Sequence, residues 1–120
     1  MITQTTDNYS LHFFDNYVIA EANEGAVIDN VEIKESLQVI FDHYNGREFT
    51  IISHRKNNYE VNLNVYTLKL MKRIKALAIV SKDNLVREKA IAEQKKFDQS
   101  FAFFTDLDDA IGWAENVFSH

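Results

Sequence analysis

The residues best suited to chemistry stand directly after three short apolar runs, at positions 49–52, 76–80 and 101–104. Hydroxyl, imidazole and cationic side chains follow these runs, and the six candidates for a ligand site are Ser53, His54, Arg55, Ser81, Lys82 and Thr105. Cationic groups and hydroxyls recognise phosphate and carboxylate. They are therefore candidates for a site that binds a small anionic ligand, such as a nucleotide, a lipid or another anionic metabolite. The alternative, which we favour because helices that start here need caps whatever the function, is that Ser81, Asp83 and Thr105 cap helices while the cations are solvated.

The sequence offers little for catalysis. Ser53 and His54 are adjacent, and adjacent residues leaving a strand point to opposite faces, so they do not pair as nucleophile and base. The four histidines show no metal-site spacing, and there is no cysteine for thiol chemistry or zinc. The three glycines, at positions 25, 46 and 112, cannot build a P-loop or a dinucleotide fingerprint. We expect no catalytic residue, no metal and no cofactor.

A second set of residues is a candidate docking site for a partner. Lys69, Lys72 and Arg73 stand at i, i+3 and i+4, which places them on one face of a helix. Trp113 lies toward the edge of an apolar helical stripe. The alternatives are a solvated helix face for the cations and a position at the edge of the core for the tryptophan.

The elements that must position these residues follow from hydrophobic patterning. Two extended segments at 9–14 and 17–23 flank Asp15-Asn16, residue types that tolerate positive φ, and this predicts a β-hairpin. Asp29 and Glu32 have capping-box spacing, so a helix should begin there and end at Asn45-Gly46.

The three apolar runs do not alternate with polar residues, which is typical of central strands buried on both faces. Helix-compatible stretches follow at 61–73, 83–97 and 106–118. Thr105 and Asp108 predict a cap for the last of them, and Gly112 predicts its close approach to the sheet. Alternating strands and helices favour an α/β fold with a mostly parallel sheet.

Length and composition indicate one domain. The chain has 120 residues, 46% of them hydrophobic, so we expect a disordered or extended start at 1–8 and a single domain over 9–120. The net charge of −5 argues against nucleic-acid binding. With no apolar run long enough to span a bilayer and no signal peptide, we expect a cytoplasmic protein without a transmembrane segment.

The order of hairpin, helix and three strand–helix units, closing on FFTDLDDAIGWAENVF, resembles the SpoIIAA-like group of the STAS/CRAL-TRIO-like domains. The local likeness is clearest where Thr105-Asp106 leads into a helix with Ala110, Ile111 and Trp113. The resemblance covers nearly the whole chain. It implies a compact (βα)n domain of the bacterial cytoplasm that binds proteins or a small ligand, without catalysis.

One departure from that group bears on regulation. STAS antagonists of anti-sigma factors carry a phosphorylated serine in an Asp-Ser-Ser/Thr-Gly-like turn, whereas the corresponding stretch here is HRKNNYEVNLNV, without serine. Ser53 precedes that position, so the phosphosite is not transferred to it.

Two functions follow from these observations. The first is a non-enzymatic STAS-like interaction or regulatory module, with a protein partner. The alternative is a small-ligand binding protein that uses the loops at the carboxyl ends of the strands. A homodimer would be compatible with either function, and Tyr9, Phe14 and Tyr17 are its candidate face if the hairpin leaves them exposed.

Overall fold

A computed structural model of the chain describes residues 2–56 and 60–118. The strands in these residues are β1 Ile2–Thr5, β2 Tyr9–Phe13, β3 Tyr17–Ala22, β4 Val27–Ile28, β5 Thr50–His54, β6 Glu60–Val61, β7 Ala76–Val80 and β8 Ser100–Phe104. The helices are α1 Asn30–Tyr44, α2 Lys69–Lys72, α3 Asn84–Lys96 and α4 Leu107–Asn116, with a 3₁₀ helix at Leu63–Thr67.

Six strands form the main sheet of the described residues, in the order β1-β2-β3-β5-β7-β8. The first three strands pair antiparallel, and β3, β5, β7 and β8 pair parallel. The predicted α/β fold, with a mostly parallel sheet and an N-terminal hairpin, is confirmed. Before the hairpin, residues 2–5 form β1, an edge strand of the sheet, and Asp7 and Asn8 form a bend that leads into β2. A small second sheet joins β4 to β6.

The sheet separates two hydrophobic clusters. The larger one fills the space between the sheet and the other described helices, and its fully buried side chains include Leu11, Val18, Leu37, Tyr44 and Ile79. The smaller cluster lies under α4, where Ala110 and Ala114 are completely buried against Ile52 and Ala78. Alanine at these two positions lets the helix approach the sheet closely. Burial on both faces explains the continuous apolar runs of β5 and β7.

The predicted start and end of α1 are both present. Asp29 and Glu32 form the capping box, and Asn45, in the left-handed conformation at φ 48°, ends the helix. The last helical residue then ties α1 to the hairpin, because the Tyr44 hydroxyl donates to the carbonyl oxygens of Phe14 and Tyr17 at 2.8 and 2.6 Å.

Two predictions about elements were wrong. β8 is an edge strand, not a central one, because nothing in the apolar run 101–104 specifies how many neighbours a strand has. The stretch 61–73 is not one helix: it holds the end of β6, the 3₁₀ helix and the single turn of α2. Asparagine at 62 and 64 explains part of this result, since its side chain competes for backbone hydrogen bonds, and Asn62 accepts one from Asn64 N–H at 3.0 Å.

Three local expectations also failed. Neither Asp15 nor Asn16 has positive φ in the hairpin turn. The N-cap of α4 is Asp106, not Thr105, and its side chain makes no capping hydrogen bond. A Cβ at Gly112 would meet nothing within 4 Å, so close approach to the sheet does not explain that glycine.

Candidate functional site

A pocket of about 790 Å³ lies where β5, β7 and β8 end. These strands are parallel neighbours, so their carboxyl ends meet at one edge of the sheet. The pocket is lined by His54, Arg55, Lys56, Val80, Ser81, Lys82, Asp83, Thr105, Asp106, Leu107, Asp108 and Asp109. Five of the six candidate ligand residues are therefore brought together, and we call this the carboxyl-end pocket. The sixth, Ser53, borders a different cavity inside the fold.

The two helices that begin at the pocket differ at their amino ends. In α3, Asp83 accepts a hydrogen bond from Leu85 N–H at 2.8 Å, and Ser81 Oγ accepts one from Asp83 N–H at 3.1 Å. Asp83 thus has the capping role that the alternative interpretation gave it, whereas Ser81 bonds to the N-cap residue itself and does not cap the helix. The first turn of α4 faces the pocket without a side-chain cap. Helix amino ends expose N–H donors and a partial positive charge, and both attract anions.

Charges of both signs surround this opening. Lys82 Nζ lies 3.9 Å from Asp106 Oδ1, and both side chains are well exposed. Asp108 and Asp109 stand in the first turn of α4, where carboxylates also stabilise the helix dipole. Lys56, on the other side of the pocket, is held 3.1 Å from Glu21 Oε2.

Glu21 is the centre of a polar cluster beside the pocket. Its carboxylate lies 2.9 Å from His12 Nε2 and 3.1 Å from His54 Nδ1, in addition to Lys56. Thr3 Oγ1 lies 3.1 Å from His12 Nδ1 on the next strand. We call Glu21, His12, His54 and Lys56 the Glu21 cluster. The sequence analysis did not predict this cluster. The alternation of β3 places Glu21 on one face of the sheet, but only the pairing of β3 with β5 brings His54 next to Glu21.

The environment of the Glu21 cluster lowers the pKa values of two of its members, Glu21 and His54. Burial raises the pKa of Glu21, but hydrogen bonds from His12 and Lys56 outweigh it, and the pKa is lowered. Burial lowers the pKa of His54, and the attraction of Glu21 only partly opposes this effect. The native protein therefore favours a charged carboxylate next to a neutral imidazole.

Arg55 borders the pocket, yet its guanidinium is used inside the fold. Its Nη1 and Nη2 donate to the two oxygens of Glu93 at 2.5 and 2.6 Å, with side chains only 8% and 4% exposed. Nε donates to Ser53 Oγ at 3.2 Å, and the Tyr66 hydroxyl donates to Glu93 Oε1 at 2.7 Å. A bidentate pair of this kind holds the end of β5 against α3. Arg55 and Ser53 thus belong to the structural frame of the site.

Next to this ion pair is a mostly apolar cavity of about 60 Å³ between the sheet and α1, bordered by Ser36, Ser53 and Tyr66. That volume holds a few water molecules and is too small for a metabolite.

The docking candidates do not share one surface. Arg73 stacks on the Phe41 ring at 4.3 Å, and Trp113 packs against Phe104 in the cluster under α4. Lys72 lines a groove of about 480 Å³ with Lys96 and Phe97. We call this the basic groove; Lys69, exposed on α2, is close to Lys72 in sequence.

Within residues 2–56 and 60–118, no group of three or more His, Cys, Asp or Glu residues has an arrangement that could hold a metal ion. No helix in the same residues is sufficiently long and apolar to cross a membrane. Comparison with protein-family profiles, curated proteins and solved structures finds no match to this chain.

Replacing Glu93 tests the frame of the site. Glu93→Gln leaves the buried Arg55 guanidinium without a counter-charge, so we expect the free energy of unfolding to fall by about 3–5 kcal/mol in urea denaturation. Glu88→Gln, on the exposed face of the same helix, is the matched control and should change stability by no more than about 0.5 kcal/mol. Equal effects of the two variants would contradict a structural role for the pair.

Acid should destabilise the protein partly through His54. Because its pKa is lowered in the native state, the unfolded chain binds the proton first, and the free energy of unfolding falls as pH drops below the ordinary histidine pKa of about 6.5. The lowered pKa of Glu21 adds a further fall in more acidic solution. Urea denaturation from about pH 7 to about pH 5 should show a shallower fall for His54→Gln than for the wild type. Identical slopes would contradict this assignment.

Proposed function

We propose that this protein is a non-enzymatic binding domain whose ligand is a small molecule with one anionic group and several hydroxyls, of the sugar-phosphate or nucleotide class. The observation that carries the proposal is the amino end of α4, which opens without a side-chain cap into the carboxyl-end pocket beside Lys82. The likeness to the SpoIIAA-like group stays a prediction, and it agrees with a binding role.

The anionic group fits the amino end of α4. N–H groups of a first helical turn donate to phosphate or carboxylate oxygens, and the helix dipole adds a favourable field. Thr105 supplies a hydroxyl at the same place, and Lys82 is free to turn from solvent toward a bound anion because its side chain is 84% exposed. Lys56 and His54 line the pocket from the side of β5.

The four aspartates of the pocket limit what else the ligand carries. Asp83, Asp106, Asp108 and Asp109 would repel a ligand with several phosphate or carboxylate groups. The same carboxylates accept hydrogen bonds from hydroxyl or amino groups. A single phosphate attached to a sugar satisfies both conditions. The pocket volume of about 790 Å³ also suits a molecule of nucleotide size.

Ribose 5-phosphate, ribose and inorganic phosphate are the probes for this proposal. A molecule that binds only the native state raises the melting temperature, so we expect ribose 5-phosphate to raise it more than phosphate and ribose to leave it unchanged. Lys82→Ala should weaken ribose 5-phosphate binding by roughly tenfold, as expected for the loss of one charge-assisted hydrogen bond. Lys34→Ala, which removes an exposed cation from α1, should have no effect.

The proposal fails if ribose raises the melting temperature as much as its phosphate, because the anionic group would then contribute nothing. It also fails if none of the three probes binds, or if Lys34→Ala weakens binding as much as Lys82→Ala.

A protein-interaction or regulatory role is the second candidate, and the basic groove favours it. Lys72 and Lys96 stand beside Phe97, and neither lysine forms an ion pair within the described residues. Unpaired cations next to an aromatic ring fit an acidic segment with apolar side chains.

A peptide of alternating glutamate and leucine is a direct probe of the groove. We expect it to bind the wild type with an affinity that decreases as salt increases, and Lys72→Glu combined with Lys96→Glu to abolish that binding. Lys34→Glu combined with Lys89→Glu makes the same change in net charge at other exposed positions and should retain most of it. Equal losses in the two double variants would indicate a response to net charge alone.

A further inference from the structure

β8 has a free edge in the described part of the chain. It is the last strand of the main sheet and pairs there only with β7. Its sequence, SFAFF, contains no charge and no proline. Charged residues, proline and bulges are the usual means by which edge strands avoid pairing with another chain. None of these protections is present within Ser100–Phe104, so this edge is available for pairing.

The backbone groups on the free edge can be identified from the hydrogen bonds on the paired edge. Ser100 N–H donates to Lys75 O at 3.3 Å, and Phe104 O accepts from Ser81 N–H at 3.1 Å. Backbone groups of successive strand residues point to alternate sides, so those of Ala102 also point toward β7. The N–H and C=O groups of Phe101 and Phe103 therefore point away from the sheet.

From this geometry we infer that a second copy of the chain pairs with β8 in antiparallel fashion, about a two-fold axis at Ala102. Phe101 of each copy then faces Phe103 of the other, and each such pair exchanges two backbone hydrogen bonds. Ala102 faces its own counterpart in the closely spaced, non-hydrogen-bonded position, where Cα atoms are about 4.5 Å apart. Alanine is small enough for that position. The two sheets become one continuous sheet.

The side chains favour a second copy over an unrelated strand. Phe101 and Phe103 lie on the same face of the sheet, so pairing about Ala102 brings four half-buried phenylalanines together. Aromatic pairs directly across two strands stabilise a sheet. Their rings are already held in place, since Phe101 packs near Phe97 at 6.0 Å and Arg87 stacks on Phe103 at 5.0 Å. A two-fold interface uses the same patch twice and closes after two copies.

The other free edge is a weaker candidate. β1 is also uncharged, but three of its four residues are threonine or glutamine and all four are exposed, so pairing there would bury little apolar area. The hairpin aromatics proposed from the sequence as a dimer face are largely unavailable, because Tyr9 and Tyr17 are buried at 7% and 8% exposure. The β8 pairing does not involve the carboxyl-end pocket of the proposed function.

Mass and cross-linking test this interface together. Sedimentation equilibrium of the wild type should show a concentration-dependent approach to twice the chain mass of 14.0 kDa.

Because the chain has no cysteine, Ala102→Cys introduces its only thiol, on the two-fold axis and within disulfide distance of its counterpart. Mild oxidation should convert this variant to a covalent dimer. Ser100→Cys is the matched control, since its two thiols would lie about 13 Å apart along the strands and should stay unlinked.

A pair of proline variants gives an independent measurement. Phe101→Pro removes an outward-pointing N–H and no bond to β7, so we expect it to fold, as judged by circular dichroism, and to remain monomeric. Thr3→Pro makes the equivalent change at the edge of β1 and should leave the dimer intact. If Phe101→Pro does not fold, the cysteine pair still decides the question.

Four outcomes would overturn the inference. The wild type could remain at monomer mass at the highest soluble concentration, or both cysteine variants could cross-link equally. The wild type could also dimerise while Ala102→Cys stays unlinked. That result would show that the dimer interface is not β8, and the free edge of β8 would then be available only to another protein. Open-ended assemblies would indicate that β8 pairs with β1 of the next copy.

Discussion

Two backbone hydrogen bonds beyond the ends of the strands define the edge of the sheet at which the carboxyl-end pocket lies. Arg55 N–H donates to Val80 O at 2.9 Å, and Ser81 N–H donates to Phe104 O at 3.1 Å. These bonds continue the parallel ladders of β5, β7 and β8 into the loops. The residues that leave the three strands therefore start from fixed positions, and the carboxyl-end pocket lies between them. Parallel pairing with this register is the constraint on which the rest of the site depends.

The cations of this region serve two different purposes. Arg55 has a structural role, because a buried guanidinium requires a carboxylate partner. Glu93 is that partner, and both of its carboxylate oxygens accept hydrogen bonds from Arg55. Lys56 and Lys82 remain near the surface, where a lysine can change partner at little cost. The division between the buried, structural arginine and the exposed lysines of the pocket thus follows from burial. The pocket thus combines two lysines near the surface with four aspartates.

The charge asymmetry along the chain has a spatial counterpart. Residues 54–96 carry 11 of the 13 basic side chains. The fold places five of them in the carboxyl-end pocket, the buried pair with Glu93 and the basic groove. Acidic residues from the flanking segments approach them at two points, Glu21 at Lys56 and Asp106 at Lys82. Local complementarity accounts for part of the asymmetry. In the basic groove Asp98 also lines the surface, yet Lys72 and Lys96 form no ion pair among the described residues.

The sequence alone determined the alternation of strands and helices, the capping box of α1 and the gathering of His54, Ser81, Lys82 and Thr105 at one edge, because these follow from local patterning and from the direction of parallel strands. It did not determine that β8 lies at an edge, that residues 61–73 break into short elements, or that His12 and His54 meet at Glu21. Those features depend on which strands become neighbours and on what packs over them. Such pairings join residues far apart in sequence, and their energies come from burial and backbone hydrogen bonding across the sheet, so only the tertiary structure decides them.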